Sequence, residues 1–89
     1  MVSFNLLWKT SAERDLKKLD RQHIPQILTA IEALSENPFP AQCRKLQGSE
    51  LSYRIRIGEY RVIYQVDVQN KTVTVYHIRH RKEAYRRYP

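Results

Sequence analysis

Apolar and polar side chains alternate most strictly between Tyr53 and Tyr64, where the chain reads YRIRIGEYRVIY. Period-two spacing places Tyr53, Ile55 and Ile57 on one face of a strand and Arg54 and Arg56 on the other. Gly58-Glu59 then predicts a two-residue hairpin turn, because glycine at the first central position accepts the positive φ that such turns need. Folding back there sets Ile57 opposite Tyr60, Arg56 opposite Arg61 and Ile55 opposite Val62. The second strand runs on through Val66 to Val68, and a third spans Thr72 to Ile78. With Asn70-Lys71 as their turn, Val68 faces Val73, Val66 faces Val75, Ile78 faces Ile63 and His80 faces Arg61. His77 then turns towards the core or an edge. A slip of one residue would reverse the faces of the third strand.

Upstream the period changes. Val2 to Trp8 reads as a short strand. Thr10 begins a helix, and Glu13 three residues later completes a capping box. Ala12, Leu16 and Leu19 form its buried stripe, while Glu13, Arg14, Asp15, Lys17 and Lys18 face water. The helix breaks from Asp20 to His23, where His23 is expected to be solvated. Pro25 is tolerated in the first turn of a second helix, along which Ile24, Ile27, Leu28, Ile31 and Leu34 recur at three- and four-residue spacing through to Glu36. Asn37-Pro38-Phe39-Pro40 stops it. Ala41 to Ser49 is a connection in which Lys45-Leu46 forms a short strand, and HRKEAYRRYP at the end reads as a short helix or tail. This order predicts a single domain over residues 1–89. Its class is α+β in two layers: an N-terminal strand and helical hairpin packed on a small, mainly antiparallel twisted sheet.

Composition narrows the chemistry. A single cysteine, Cys43, excludes an internal disulfide and a cysteine-rich zinc site, and it lacks an activating partner. The N-terminus has no basic stretch before its short apolar run, and nothing approaches the length of a membrane span, so the expected location is the cytoplasm, with no membrane partner. The net charge is +7, and its distribution is uneven. Residues 1–43 carry five basic and five acidic side chains, whereas residues 44–89 carry eleven basic and four acidic ones. That excess focuses positive potential on one part of the surface and suits nucleic acid or an acidic protein. No metal site is expected, since His77 and His80 lack a further ligand at useful spacing, and no cofactor motif occurs.

Arginines facing each other across a ladder repel, so Arg54, Arg56 and Arg61 predict either a polyanion site or a solvated face with splayed side chains. Together with His80, Arg81 and Tyr85 they suit RNA cleavage by its own 2′-hydroxyl. That reaction needs a base, cations to stabilise the added charge on phosphate, and an acid for the leaving 5′ oxygen. The arginines supply charge, and His80 has the pKa range for either proton transfer. Tyr85 is suited to stacking a base or moving a proton, or else to packing the terminal segment on the sheet. Arg44, Lys45, Lys82, Arg86, Arg87 and Tyr88 extend the candidate surface for RNA.

At these residues the chain resembles the RelE/ParE superfamily of bacterial and archaeal toxins from toxin–antitoxin pairs. The similarity runs through the helical hairpin, Lys45-Leu46-Gln47-Gly48, Tyr53-Arg54-Ile55-Arg56, Gly58-Glu59-Tyr60-Arg61-Val62-Ile63-Tyr64 and His80-Arg81-Lys82-Glu83-Ala84-Tyr85-Arg86. It looks more like the RelE branch, whose members cut mRNA in the ribosomal A site, than the ParE branch, which poisons DNA gyrase. The resemblance implies basic residues at Arg54, Arg56, Arg61 and Arg81 and a tyrosine at Tyr85, with Tyr88 as fallback. The best known member has lysines at the positions of Arg54 and Arg56. Arginine is effectively always protonated, which shifts proton transfer towards His80 or Tyr85. The resemblance also implies a cognate antitoxin, a ribosome-dependent activity, and contact with operator DNA only through the antitoxin complex. A gyrase inhibitor or a non-catalytic binding module on the same fold are the alternatives.

Overall fold

A computed structural model describes residues 3–80 of the chain. Strand β1 (Asn5–Trp8) leads into helix α1 (Thr10–Lys18), a 3₁₀ turn (Arg21–His23) and helix α2 (Ile24–Ala33). Strands β2 (Arg44–Lys45), β3 (Ser52–Ile57), β4 (Tyr60–Asp67) and β5 (Thr72–His80) follow. They form one five-stranded sheet in the order β1-β5-β4-β3-β2. Among the described strands only β1 runs parallel to its neighbour, with Asn5 opposite Thr72 and Trp8 opposite Val75. The α+β architecture expected from the sequence is the one observed, and no helix among the described residues is long and apolar enough to cross a membrane.

The alternation in β3 and β4 builds the core. Ile55, Ile57, Tyr60, Val62, Tyr64 and Val66 meet Val73, Val75 and Ile78 of β5 beneath Ala12, Ile27, Ile31 and Leu34 of the helical layer. Burying each such aliphatic side chain is worth about 1.5–3 kcal/mol. The central hairpin has the expected register: Ile57 opposite Tyr60, Arg56 opposite Arg61 and Ile55 opposite Val62. Gly58 takes φ +59°, as the first position of a tight two-residue turn requires.

The next hairpin departs from expectation. Strand β4 ends at Asp67, one residue early, because the Asp67 carboxylate accepts hydrogen bonds from the Asn70 backbone N–H (3.0 Å) and side-chain amide (2.8 Å). A four-residue loop, 68–71, results, closed by Lys71 at φ 54°. Val66 therefore faces Val73 and Tyr64 faces Val75, and Val68 lies exposed outside the ladder. A bulge at Tyr76 then shifts the register again, so that Ile63 faces His77, Val62 faces Ile78, Arg61 faces Arg79 and Tyr60 faces His80.

Two expectations for α1 are also corrected. The N-cap residue is Lys9, without a side-chain cap, so Thr10 and Glu13 form no capping box. The Lys9 N–H bonds instead to Val75 O at 2.9 Å, which carries the chain from strand into helix one residue sooner. Asp15 is buried, not solvated, because α1 lies along the part of β5 beyond the end of β1.

Candidate functional site

The helices cover one face of the sheet. On the other, the register aligns Arg56, Arg61 and Arg79 as a single rung across β3, β4 and β5. The neighbouring rung holds Arg54, Ile63 and His77, and Arg44 of β2 stands opposite Arg54. Directly opposed residues share a face, so five arginines and one histidine are gathered on this surface. Ile63 is the buried apolar member among them.

A hollow of about 310 Å³ is lined by Gln42, Arg44, Arg54, Ile55, Arg56 and Arg61. A second, of about 470 Å³, adjoins it through Arg44 and Arg54 and is lined further by Lys45, Leu46 and Gln47. Together they make a cationic trough over β2 and β3. Arg54 and Arg56 are exposed and Arg61 is half-buried. Guanidinium groups remain protonated at any physiological pH, so the trough holds its charge under all conditions relevant to a polyanionic ligand.

Packing on the far side of the sheet fixes the loop that delivers Arg44. The Tyr64 hydroxyl, fully buried, donates to Pro38 O at 2.8 Å. Tyr53 stacks on Tyr64 with ring centroids 6.0 Å apart, and Phe39 meets Tyr53 edge-on at 5.1 Å. Arg44 Nη1 then donates to Ala41 O (3.2 Å) and Cys43 O (2.9 Å), which holds its guanidinium at the rim. Arg56 Nε makes a long contact to Gly58 O (3.4 Å). Burial, reinforced by Cys43, pushes the Tyr64 phenol well above its usual range, in keeping with a hydroxyl that donates to Pro38 O.

His80 is not where the sequence placed it. It pairs with Tyr60 on the helix-covered side, their rings 5.3 Å apart and nearly perpendicular. His23, expected in solvent, packs against the same Tyr60 at 5.3 Å. The four-residue loop and the bulge at Tyr76 together account for the exchange: the histidine facing the arginines is His77, and the residue opposite Arg61 is Arg79. Arg79 was missed by the sequence reading, and only the Asp67-Asn70 pairing signalled the longer loop. Arg81, Lys82, Tyr85, Arg86, Arg87 and Tyr88 lie outside the described residues, as does the expected terminal helix or tail. Among the described residues no three His, Cys, Asp or Glu side chains gather as a metal-binding group.

Comparison with known proteins gives a consistent result. A family model described as the ParE toxin of the type II toxin–antitoxin system parDE matches residues 6–85. RelE1 of Methanocaldococcus jannaschii is 32% identical over 88 residues, covering 96% of this chain and 98% of the relative. Toxin RelG of Mycobacterium tuberculosis is 33% identical over 95 residues, covering 97% and 100% respectively. The RelE–RelB complex of Pyrococcus horikoshii superposes with a TM-score of 0.78 at 26% identity, covering 89% of this chain and 96% of that one. The sheet order, the helical layer and these matches over nearly the whole length lead to one conclusion: the chain belongs to the RelE/ParE superfamily of toxins from toxin–antitoxin systems.

Proposed function

We propose that this toxin is a ribosome-dependent endoribonuclease that cleaves mRNA in the ribosomal A site. The observation that supports this reading best is the outward-facing group of Arg54, Arg56 and Arg61 on a sheet face that no described helix covers. In the proposed reaction the 2′-hydroxyl attacks the adjacent phosphorus, a 2′,3′-cyclic phosphate forms, and the 5′ oxygen leaves with a proton. Negative charge builds on the non-bridging oxygens during attack, and fixed guanidinium donors stabilise it most where it develops. Arg61 sits at the middle of its rung and is assigned to the scissile phosphate, with Arg54 and Arg56 on the same strand of RNA.

Two permanent cations on β3 cannot accept the 2′ proton. The imidazole on the arginine face is His77, which is assigned the proton-transfer role for which the sequence offered His80 or Tyr85. Its Nδ1 lies 3.4 Å from Asp15 Oδ2; with the ring proton on that nitrogen and directed at the carboxylate, Nε2 is the basic nitrogen assigned to the substrate. Tyr85 and Arg81 of the terminal segment complete the set, with Lys45, Lys82, Arg86, Arg87 and Tyr88 as contacts to RNA or ribosome. A cognate antitoxin is expected to neutralise the toxin by meeting its cationic face with acidic and apolar side chains, and relatives of this fold form RelE–RelB complexes. Operator DNA is reached only through that complex.

The match to a ParE model favours a second reading, inhibition of DNA gyrase through the same basic face. Purified toxin is to be tested on ribosomes programmed with a defined mRNA and, separately, on gyrase with a plasmid. Cleavage lost in Arg54→Ala and Arg61→Ala, with supercoiling unaffected, is the expected result. Intact mRNA beside blocked supercoiling would overturn the ribonuclease reading.

A further inference from the structure

Asp15 is a buried carboxylate whose position nothing about α1 alone requires. Strand β1 ends at Trp8, opposite Val75, so from Tyr76 onwards no described strand lies on the outer side of β5. Helix α1 lies there instead. The Ser11 hydroxyl donates to Tyr76 O at 2.6 Å, and Asp15 Oδ2 accepts from Ile78 N at 3.0 Å. A neutral acceptor would satisfy that N–H, and burying a charge is costly unless it is paired. Asp15 is only 8% exposed.

The pairing is with Arg79. Asp15 Oδ1 accepts from Arg79 Nη1 at 2.9 Å, and Arg79 Nη2 stands 3.2 Å from His77 Nδ1. His77 Nδ1 is also 3.4 Å from Asp15 Oδ2. Arg79 is the outer member of the Arg56–Arg61–Arg79 rung, directly opposite Arg61. Repulsion from Arg61 would otherwise leave its guanidinium free to swing into solvent. With one N–H engaged by Asp15, an arginine retains four donors, and the Arg79 side chain keeps 28% of its surface exposed.

We propose that Asp15 is a positioning residue of the RNA site. It anchors Arg79 at the outer edge of the sheet, beside the hollow lined by Arg44, Arg54, Arg56 and Arg61, with Arg79 contacting a phosphodiester that flanks the scissile one. This rests on the ribonuclease reading above. A flanking contact is made equally in ground and transition states, so its loss raises KM; kcat falls as well, as far as His77, which touches both Asp15 and Arg79, is displaced. Loss of a mere edge cap would instead lower thermal stability and the active fraction, with KM unmoved.

The test is a double-mutant cycle on programmed ribosomes, with kcat, KM and Tm measured for the unmodified chain, Asp15→Asn, Arg79→Ala and the double variant. Arg61→Ala serves as the control for the reaction itself. Arg79→Ala is expected to raise KM about 10- to 100-fold, the range for a lost charge-assisted hydrogen bond. Asp15→Asn is expected to raise KM in the same direction, and to add nothing in the Arg79→Ala background. Effects that multiply in the double variant, or an Asp15→Asn defect confined to Tm and kcat, would overturn the proposal while leaving the ribonuclease reading intact. Should Asp15→Asn fail to fold, Arg79→Ala decides: a raised KM supports the proposal and an unchanged KM overturns it. No cleavage by the unmodified chain would overturn both readings together.

Discussion

Arg56→Thr should make the protein more stable and less active. Arg56 faces Arg61 directly across β3 and β4, an arrangement that costs about 0.2–1 kcal/mol when the charges are alike. Among the described residues, its polar side-chain contact is the long, exposed bond to Gly58 O, whose loss contributes little. Threonine is β-branched and suits a strand. The net gain is about 0.5 kcal/mol, which for a domain of this size raises Tm by roughly 2–4 °C. Part of the gain is electrostatic, so it should shrink from low salt to 1 M salt, where the Debye length falls to about 3 Å. Cleavage on programmed ribosomes should fall by about 10- to 100-fold, the loss of one charge-assisted contact to phosphate. Thermal melts across a salt series, run beside the cleavage assay, read both signs at once. A variant less stable by about 1 kcal/mol or more would refute the like-charge argument, since a surface position free of such strain changes stability by only about 0.5 kcal/mol. Undiminished cleavage would refute the assignment of Arg56 to RNA.

Two further predictions concern what holds the trough in place. Tyr64→Phe leaves the buried Pro38 carbonyl without its donor and should cost about 1–3 kcal/mol in urea unfolding. Because the folded phenol titrates above its unfolded value of about 10, its contribution is complete below that pH and is lost as pH rises. Alkaline destabilisation should therefore be steeper in the unmodified chain than in Tyr64→Phe. Asp67→Ala removes the acceptor that sets the 68–71 loop and should lower Tm at neutral pH. The Asn70 backbone N–H, then its side-chain amide, hold the Asp67 carboxyl below its usual pKa. The difference from the unmodified chain should accordingly persist above about pH 4 and vanish as pH falls through the lowered folded value. A gap independent of pH would contradict the loop assignment.

The fold was legible where local chemistry left one choice. Gly58-Glu59 admits a two-residue turn, and that turn fixed every pair from Ile57–Tyr60 back to Ser52–Gln65. The helical stripe Ile27, Ile31 and Leu34 was equally plain. Legibility failed where side chains distant in sequence took part. Asp67 shortens β4 by capping its own loop, and Val68, apolar enough to extend the strand, is left 58% exposed. The bulge at Tyr76 lies where Ser11, 65 residues away, bonds to its carbonyl. Neither contact has a periodicity to betray it, and the bulge reverses the faces of the strand beyond it. That reversal moved His80 behind the sheet, brought His77 and Arg79 in front, and drew Asp15 out of water. The arginines of the central hairpin were therefore found from sequence, while their neighbours on β5 needed the three-dimensional register.

The most direct test of the ribonuclease assignment is to map mRNA 5′ ends in cells shortly after the toxin is induced, comparing the unmodified chain with Arg61→Ala and His80→Phe. The account predicts new ends in phase with the reading frame, lost in Arg61→Ala and kept in His80→Phe, where the replacement ring still packs on Tyr60. Growth arrest with intact transcripts would contradict it.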